Sequence, residues 1–275
     1  MAVKSAIINV MERAARKAAR GLLRDLGEVG QLQVSQKGPA NFVSAADVRA
    51  EKTIRMELAK ARPDFGFLLE EGGEVAGKDG EHRWVVDPLD GTTNFLHSVP
   101  HFAISIAVEK RTGATSEIIA ALVLDPARDE MFWAEKGQGA FLNEHRMRVS
   151  SRTRLSDSLI ATGIPTQGRS DHGLFLRRLG RLMENVASIH RAGAAALDLA
   201  WLAAGRHDGF FELGLFRWDV AAGILLIREA GGFVTEIDGG TDPLGSGSIL
   251  AANPHLHGPL SELLAEAASG TLLPS

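Results

Sequence analysis

The chain has 275 residues, 45% of them hydrophobic, and its 30 Lys+Arg against 34 Asp+Glu leave a formal net charge of −4. That length supports a sizeable core, and the acidic balance argues against broad nucleic-acid affinity, which shows as clustered Lys and Arg on a basic domain. The absence of cysteine excludes disulfides, thiolate metal sites and a cysteine nucleophile; no apolar run approaches the roughly 18 residues of a membrane span and no signal-peptide pattern is present, so a cytoplasmic protein is expected.

Residues 3–26 place Val3, Ile7, Val10, Met11, Ala14, Ala18, Leu22 and Leu26 at spacings of three and four with Arg and Lys opposite, which predicts an amphipathic helix. Its basic face resembles a targeting presequence, but Glu12 and Asp25 are wrong for one, and packing against the body is the expected role. Residues 36–41 read as a turn-rich loop. Ser44-Ala45-Ala46-Asp47 has the pattern of a helix-capping box ahead of a helix over 48–61, which gives Asp47 a structural reading. Residues 65–69 read as a strand delivering Glu70 and Glu71, and 72–80 as a polar loop.

Residues 83–95, Arg-Trp-Val-Val-Asp-Pro-Leu-Asp-Gly-Thr-Thr-Asn-Phe, carry the most chemistry. Trp84, Val85 and Val86 predict a short buried strand that breaks into a tight turn at Asp87-Pro88. Around that turn Asp87 and Asp90 can share one space with the Leu89 carbonyl between them, a ligand set suited to hard divalent cations. Gly91 lets the backbone approach a bound group, and Thr92, Thr93 and Asn94 offer hydroxyls and the N–H groups of a starting helix. Metal and phosphate could be held side by side there; a bare pair of Asp residues across a turn is more often a cap or a surface feature.

The next residues predict a half-buried strand over 101–109, further strands over 118–124 and 130–134, and more strand at 140–142, an antiparallel run. Gly137-x-Gly139 lacks the third glycine and the helix of a dinucleotide loop. Asp125-Pro126 and Asp242-Pro243 lack the second acid and read as ordinary turns. Residues 151–275 alternate differently: strands near 158–161, 187–191 and 208–212, and helices near 171–186, 194–204 and 219–230, predict an α/β half. Gly193, Ala194 and Ala195 open one of those helices, where small residues let N–H groups approach a ligand or simply pack closely. Asp219 follows Trp218 at a helix start, an N-cap position. The nine histidines form no metal-binding pattern and no Gly-x-Ser-x-Gly elbow is present.

Three landmarks in order, Phe67-Leu68-Leu69-Glu70-Glu71, the 83–95 stretch, and Trp218-Asp219-Val220-Ala221-Ala222-Gly223 with Glu229-Ala230-Gly231-Gly232, resemble the signatures of the inositol monophosphatase family, a group of magnesium-dependent, lithium-sensitive phosphatases. The resemblance implies an αβαβα layered sandwich of the inositol monophosphatase and fructose-1,6-bisphosphatase type. It would be a single domain over 1–275, with an α+β half (1–150) and an α/β half (151–275), that forms a homodimer. It implies two Mg²⁺ ions, with a third, weaker one near Glu70, held by Glu70, Asp87, the Leu89 carbonyl, Asp90 and Asp219. Thr92, held by Asp47, would aim the attacking water, making Asp47, Glu70 and Thr92 the catalytic set. The substrate would be met by Leu89, Asp90, Gly91, Thr92, Thr93, Gly193, Ala194, Ala195, Glu212 and Asp219, with Glu212 setting specificity; His190 stands where the family commonly has Arg.

The implied substrate is a small phosphorylated polyol, inositol-1-phosphate, with fructose-1,6-bisphosphate, histidinol phosphate and 3′-phosphoadenosine-5′-phosphate as rivals. Thr93-Asn94 is typical of the inositol phosphatases, whereas the nucleotide and histidinol relatives tend to have Lys followed by an acid or Ser there. A regulatory role as a partner of RNA or the transcription machinery is the reading from another class, and no basic or aromatic-striped segment supports it.

Overall fold

The structure, a computed structural model, describes residues 3–28, 34–38, 41–113, 115–165 and 171–269. Helix α1 (Ala6–Leu26) starts where the Ser5 hydroxyl accepts the Ile8 N–H, and its Ile8, Met11, Ala14, Ala15, Ala18 and Leu22 face is buried. It packs beside α2 (Ala45–Ala61). The residues expected as a loop over 36–41 belong to a two-stranded ribbon, β1 (Val34–Gly38) with β2 (Asn41–Ser44). The Ser44 side chain, half of the expected capping box, lies outside the described residues, as do residues 39–40.

The large sheet contains β3 (Gly66–Leu69), β4 (Gly73–Val75), β5 (His82–Asp90), β6 (Ala103–Thr112), β7 (Thr115–Asp125), β8 (Glu130–Glu135), β9 (Gly139–Leu142) and β10 (His145–Arg146). Their order is β10-β9-β8-β7-β6-β5-β3-β4, antiparallel except for the parallel pair β3–β5. The predicted polar loop over 72–80 therefore includes a strand, β4, which folds back on β3. Strand β6 is buried on both faces through Glu109 rather than half-buried. Alternate residues of β5 face different cores, Trp84 and Val86 towards α1 and α2, Val85 towards the opposite layer.

That opposite layer is made of α5 (Ala195–Ala203) and α6 (Arg217–Glu229). Beyond it lies a five-stranded sheet, β12-β11-β13-β15-β14, built from β11 (Leu159–Thr162), β12 (Ser188–His190), β13 (Gly209–Glu212), β14 (Phe233–Thr235) and β15 (Ile249–Ala252). Strands β14 and β15 have no counterpart among the predicted elements. Each is only a few residues long and lies among glycines, too short for a visible period. Helices α4 (His172–Asn185) and α8 (His257–Ser269) cover the outer face, and the short α7 (Pro243–Ser246) precedes β15. Three apolar clusters fill the spaces between successive layers, so the order is α, β, α, β, α.

The middle layer is tight. At Gly223 a methyl group would lie 2.6 Å from Leu199 Cβ, so α5 and α6 meet at a distance only glycine permits. Among the described residues no helix is long and apolar enough to cross a membrane.

Candidate active site

The turn expected at Asp87-Pro88 is a β-bulge. Strand β5 continues to Asp90, and between the pairs Asp87↔Ser105 and Asp90↔Ala103 three steps along β5 match two along β6. In a regular strand, side chains three apart point to opposite faces, so the extra residue is what returns Asp90 to the side of Asp87. Pro88, with no N–H to offer the ladder, is tolerated at such a bulge. The Leu89 N–H donates to Asp87 Oδ1 at 3.0 Å and fixes the carboxylate.

Gly91 then takes φ 91°, and a Cβ on it would sit 3.0 Å from the His101 carbonyl and 3.1 Å from Ala194 Cβ. No other residue fits that backbone without strain. Short helix α3 (Thr92–Leu96) follows. The Thr92 hydroxyl lies 3.1 Å from both buried Asp47 Oδ1 and the Leu89 carbonyl, so α2 reaches the site through a contact 45 positions apart. Thr93 is exposed on the first turn.

The sequence marks Asn94 as part of the helix start and of the Thr93-Asn94 pair, without a structural role for its side chain. Its buried side-chain amide donates to the His101 carbonyl at 2.7 Å and the Ala192 carbonyl at 2.8 Å, tying α3 to the loop before β6 and to the approach to α5. The available signal was an indifferent helix former placed inside a helix.

Glu70 closes β3, its N–H donating to the Val86 carbonyl at 3.3 Å, which sets it beside β5. Glu71 is turned by a 2.8 Å bond from its N–H to Glu51 on α2. Asp90 Oδ2 accepts the Ala196 N–H at 2.7 Å and so caps α5 in place of a ligand; Gly193, with φ 88°, and buried Ala194 and Ala195 lead into that helix. Asp219 is the third residue of α6 rather than its N-cap: Phe216 occupies the cap, and Asp219 Oδ2 reaches back to the Phe216 N–H at 2.8 Å. Glu212 ends β13 with its carboxyl over Gly163, where any side chain would overlap it. His190 is exposed at the end of β12, its ring against that of His207.

The electrostatics bring these acids together. Burial, then the charges of Asp219, Glu71 and Asp47, push Glu70 up to about 8 against a hydrogen bond with Asp87 that lowers it. Burial and the charges of Glu70, Asp90 and Asp219 hold Asp87 well above the usual carboxylate range. Burial again, with Asp219, Asp198 and Glu212, does the same to Asp90. Glu70, Asp87 and Asp90 thus crowd, with Asp219 beside them, a space that disfavours the charged forms of these three.

As placed, no three such side chains among the described residues converge on one point at coordinating distance; the Asp87, Asp90 and Asp219 oxygens described above rest on backbone N–H groups. Glu70 Oε2, however, is buried with no hydrogen-bond partner. An orphaned carboxylate oxygen inside a ring of mutually repelling acids, with no thiolate and no ring nitrogen in the set, is the donor chemistry of a hard divalent cation.

Residues 3–271 match the model of the inositol monophosphatase family. The inositol-1-monophosphatase of Rhizobium meliloti (strain 1021) is 56% identical over 261 residues, 95% of this chain and 97% of that protein. The Nus factor SuhB of Escherichia coli (strain K12) is 44% identical over 250 residues, 91% of this chain and 92% of that one. The crystal structure of the extragenic suppressor protein suhB from Bartonella henselae superposes with a TM-score of 0.91 at 55% identity, covering 94% of this chain and 98% of that one. The layered order, the three carboxylate landmarks and these matches along almost the whole length agree: the chain belongs to the inositol monophosphatase family of phosphatases.

Proposed function

We propose that the chain is a magnesium-dependent phosphomonoesterase that hydrolyses inositol-1-phosphate to inositol and phosphate. The observation that carries this reading is the half-buried acid cluster of Glu70, Asp90 and Asp219 around buried Asp87, beside a hydroxyl and a glycine-opened helix start. Glu70, Asp87, the Leu89 carbonyl, Asp90 and Asp219 would hold two Mg²⁺ ions, with a third, weaker one near Glu70. Bound there, magnesium supplies the charge that makes a water nucleophilic near neutral pH and neutralises phosphoryl oxygens.

The protein's own part is orientation. Thr92, donating to Asp47, presents its oxygen towards the nucleophilic water and aligns it with phosphorus. The N–H groups of Gly91, Thr92 and Thr93 face the phosphoryl oxygens, and Gly91 keeps side-chain bulk away from them. Gly193, Ala194 and Ala195 line the polyol side, where Glu212 accepts hydrogen bonds from substrate hydroxyls and so selects a polyol over an apolar alcohol.

Supporting inositol-1-phosphate over other esters are the 56% identical relative of that name and the Thr93-Asn94 pair. A homodimer, lithium inhibition by competition at a magnesium position and a cytoplasmic location complete the proposal. The deciding experiment measures phosphate release with and without Mg²⁺ from inositol-1-phosphate, histidinol phosphate, fructose-1,6-bisphosphate and 3′-phosphoadenosine-5′-phosphate. Fastest turnover on inositol-1-phosphate, abolished by chelation, is expected; metal-independent release or preference for another ester overturns it.

The relatives named Nus factor SuhB favour a second reading, a regulatory partner of RNA or the transcription machinery. Nucleic acid that stays with the purified protein through high salt, in an Asp90→Asn variant as in the parent, would support it.

A further inference from the structure

The side chain of Glu109 on β6 is fully buried, at 0% exposure, and two arginines from different layers share it. Arg83 on β5 donates from Nε to Oε2 at 2.6 Å, and Arg217 at the first position of α6 donates from Nη1 to Oε1 at 2.6 Å. Each carboxylate oxygen therefore has its own cation. Four residues earlier on the same strand, the buried Ser105 hydroxyl donates to the Trp218 carbonyl at 3.2 Å.

The register gives these contacts their meaning. Glu109 stands opposite Arg83, and Ser105 stands opposite Asp87. One strand is thus hydrogen-bonded along its edge to the strand bearing Asp87 and Asp90, while two of its side chains grip α6 at Arg217 and Trp218, immediately before Asp219. Glu109 and Ser105 act on the acids through the paired strand β5 and the start of α6. A shift of β6 against either partner changes the separation between Asp219 and the β5 acids.

We propose that Glu109 and Ser105 are positioning residues for Asp219, holding the start of α6 in register with the strand that bears Asp87 and Asp90, so that the three acids can close on a divalent cation. Losing either contact weakens cation binding by moving a carboxylate rather than by removing one. This rests on the divalent-metal reading proposed above and adds to it the strand that sets the spacing. A planar guanidinium pair around one buried carboxylate suits the task, because its directional hydrogen bonds fix orientation as well as distance.

The test is calorimetric titration of Mg²⁺ into the full-length metal-stripped protein, with circular dichroism to confirm folding. Glu109→Gln keeps the shape and removes the charge; its Mg²⁺ dissociation constant should rise roughly 10–100-fold, as for other groups that orient metal ligands. Ser105→Ala should move it the same way by less. In an Asp219→Asn background, Glu109→Gln should cause no further loss, because the residue through which it acts is already gone. Leu260→Ala, which opens the remote core beneath α8, should retain the parental affinity despite lower stability. Should Glu109→Gln fail to fold, Ser105→Ala and Arg217→Gln decide.

Parental affinity in the folded variants, an equal loss in Leu260→Ala, or a full further loss in the Asp219→Asn background would overturn the proposal while leaving the metal reading standing. A parent protein that binds no Mg²⁺, or an Asp219→Asn variant that binds it like the parent, would overturn both.

Discussion

At the scale of single residues, the acids of the site have a structural tie and a proposed chemical task at once. Asp90 caps α5 through the Ala196 N–H, and Asn at that position can keep the cap while removing the charge. Asp90→Asn should therefore fold normally and lose several orders of magnitude in kcat, read by phosphate release beside a thermal melt; near-parental turnover removes Asp90 from the metal set. Gly91→Ala separates backbone from chemistry. Its φ of 91° and the 3.0 Å approach to the His101 carbonyl make any side chain strained, so a stability loss of about 1–3 kcal/mol is expected, together with a raised KM. Much at this scale was legible in sequence. Acids separated by a Pro and followed by Gly-Thr announce oxygen chemistry by composition alone. The roles of Asp47 and Asn94 depend on partners distant in the chain, and Asp219 sits one turn deeper than a cap because its carboxylate reaches back to Phe216.

At the scale of elements, the informative misreading is β5. A proline after an apolar run reads as the end of a strand, yet here the ladder resumes at Asp90↔Ala103 after passing over Pro88 and Leu89. Deleting Leu89 should remove the bulge and leave Asp90 two positions from Asp87 on the same face, but take away the Leu89 N–H that fixes Asp87 and the Leu89 carbonyl that meets Thr92, and so abolish activity while leaving the sheet recognisable by circular dichroism. Substitution of Leu89 by Met, which keeps chain length and approximate volume, should leave most activity in place. Strand β6 was underrated for a related reason. Its alternation suggested one wet face, but α5 and α6 cover that face, so Glu109 lies in the interior with two arginines rather than at a rim. Sequence period reports what one element would bury alone; it is silent about a second layer arriving from elsewhere in the chain.

At the scale of the whole molecule, the acid cluster links proton, metal and stability. Glu70 is raised from its ordinary 4.5 to about 8, and Asp87 and Asp90 are raised too, so the metal-stripped folded protein holds protons that the unfolded chain has released. That contribution is fully present below the unfolded values and is lost as pH rises through the folded ones. Melting in chelator should therefore show a falling midpoint as pH rises from about 5 towards 8. Saturating Mg²⁺ should flatten the slope, because the cation replaces the protons; a midpoint that rises in chelator over this range would refute the protonated cluster. The middle layer has a consequence of its own. Helices α5 and α6 follow the last strand of the large sheet in the chain, yet they cover one side of it, while their other side packs on the five-stranded sheet of their own half. A chain cut near residue 150 would yield two fragments each missing its complement. Produced separately, both should be insoluble or molten; co-expressed, they should reassemble into one active particle, and a soluble, cooperatively melting N-terminal piece would show that the two halves are autonomous after all.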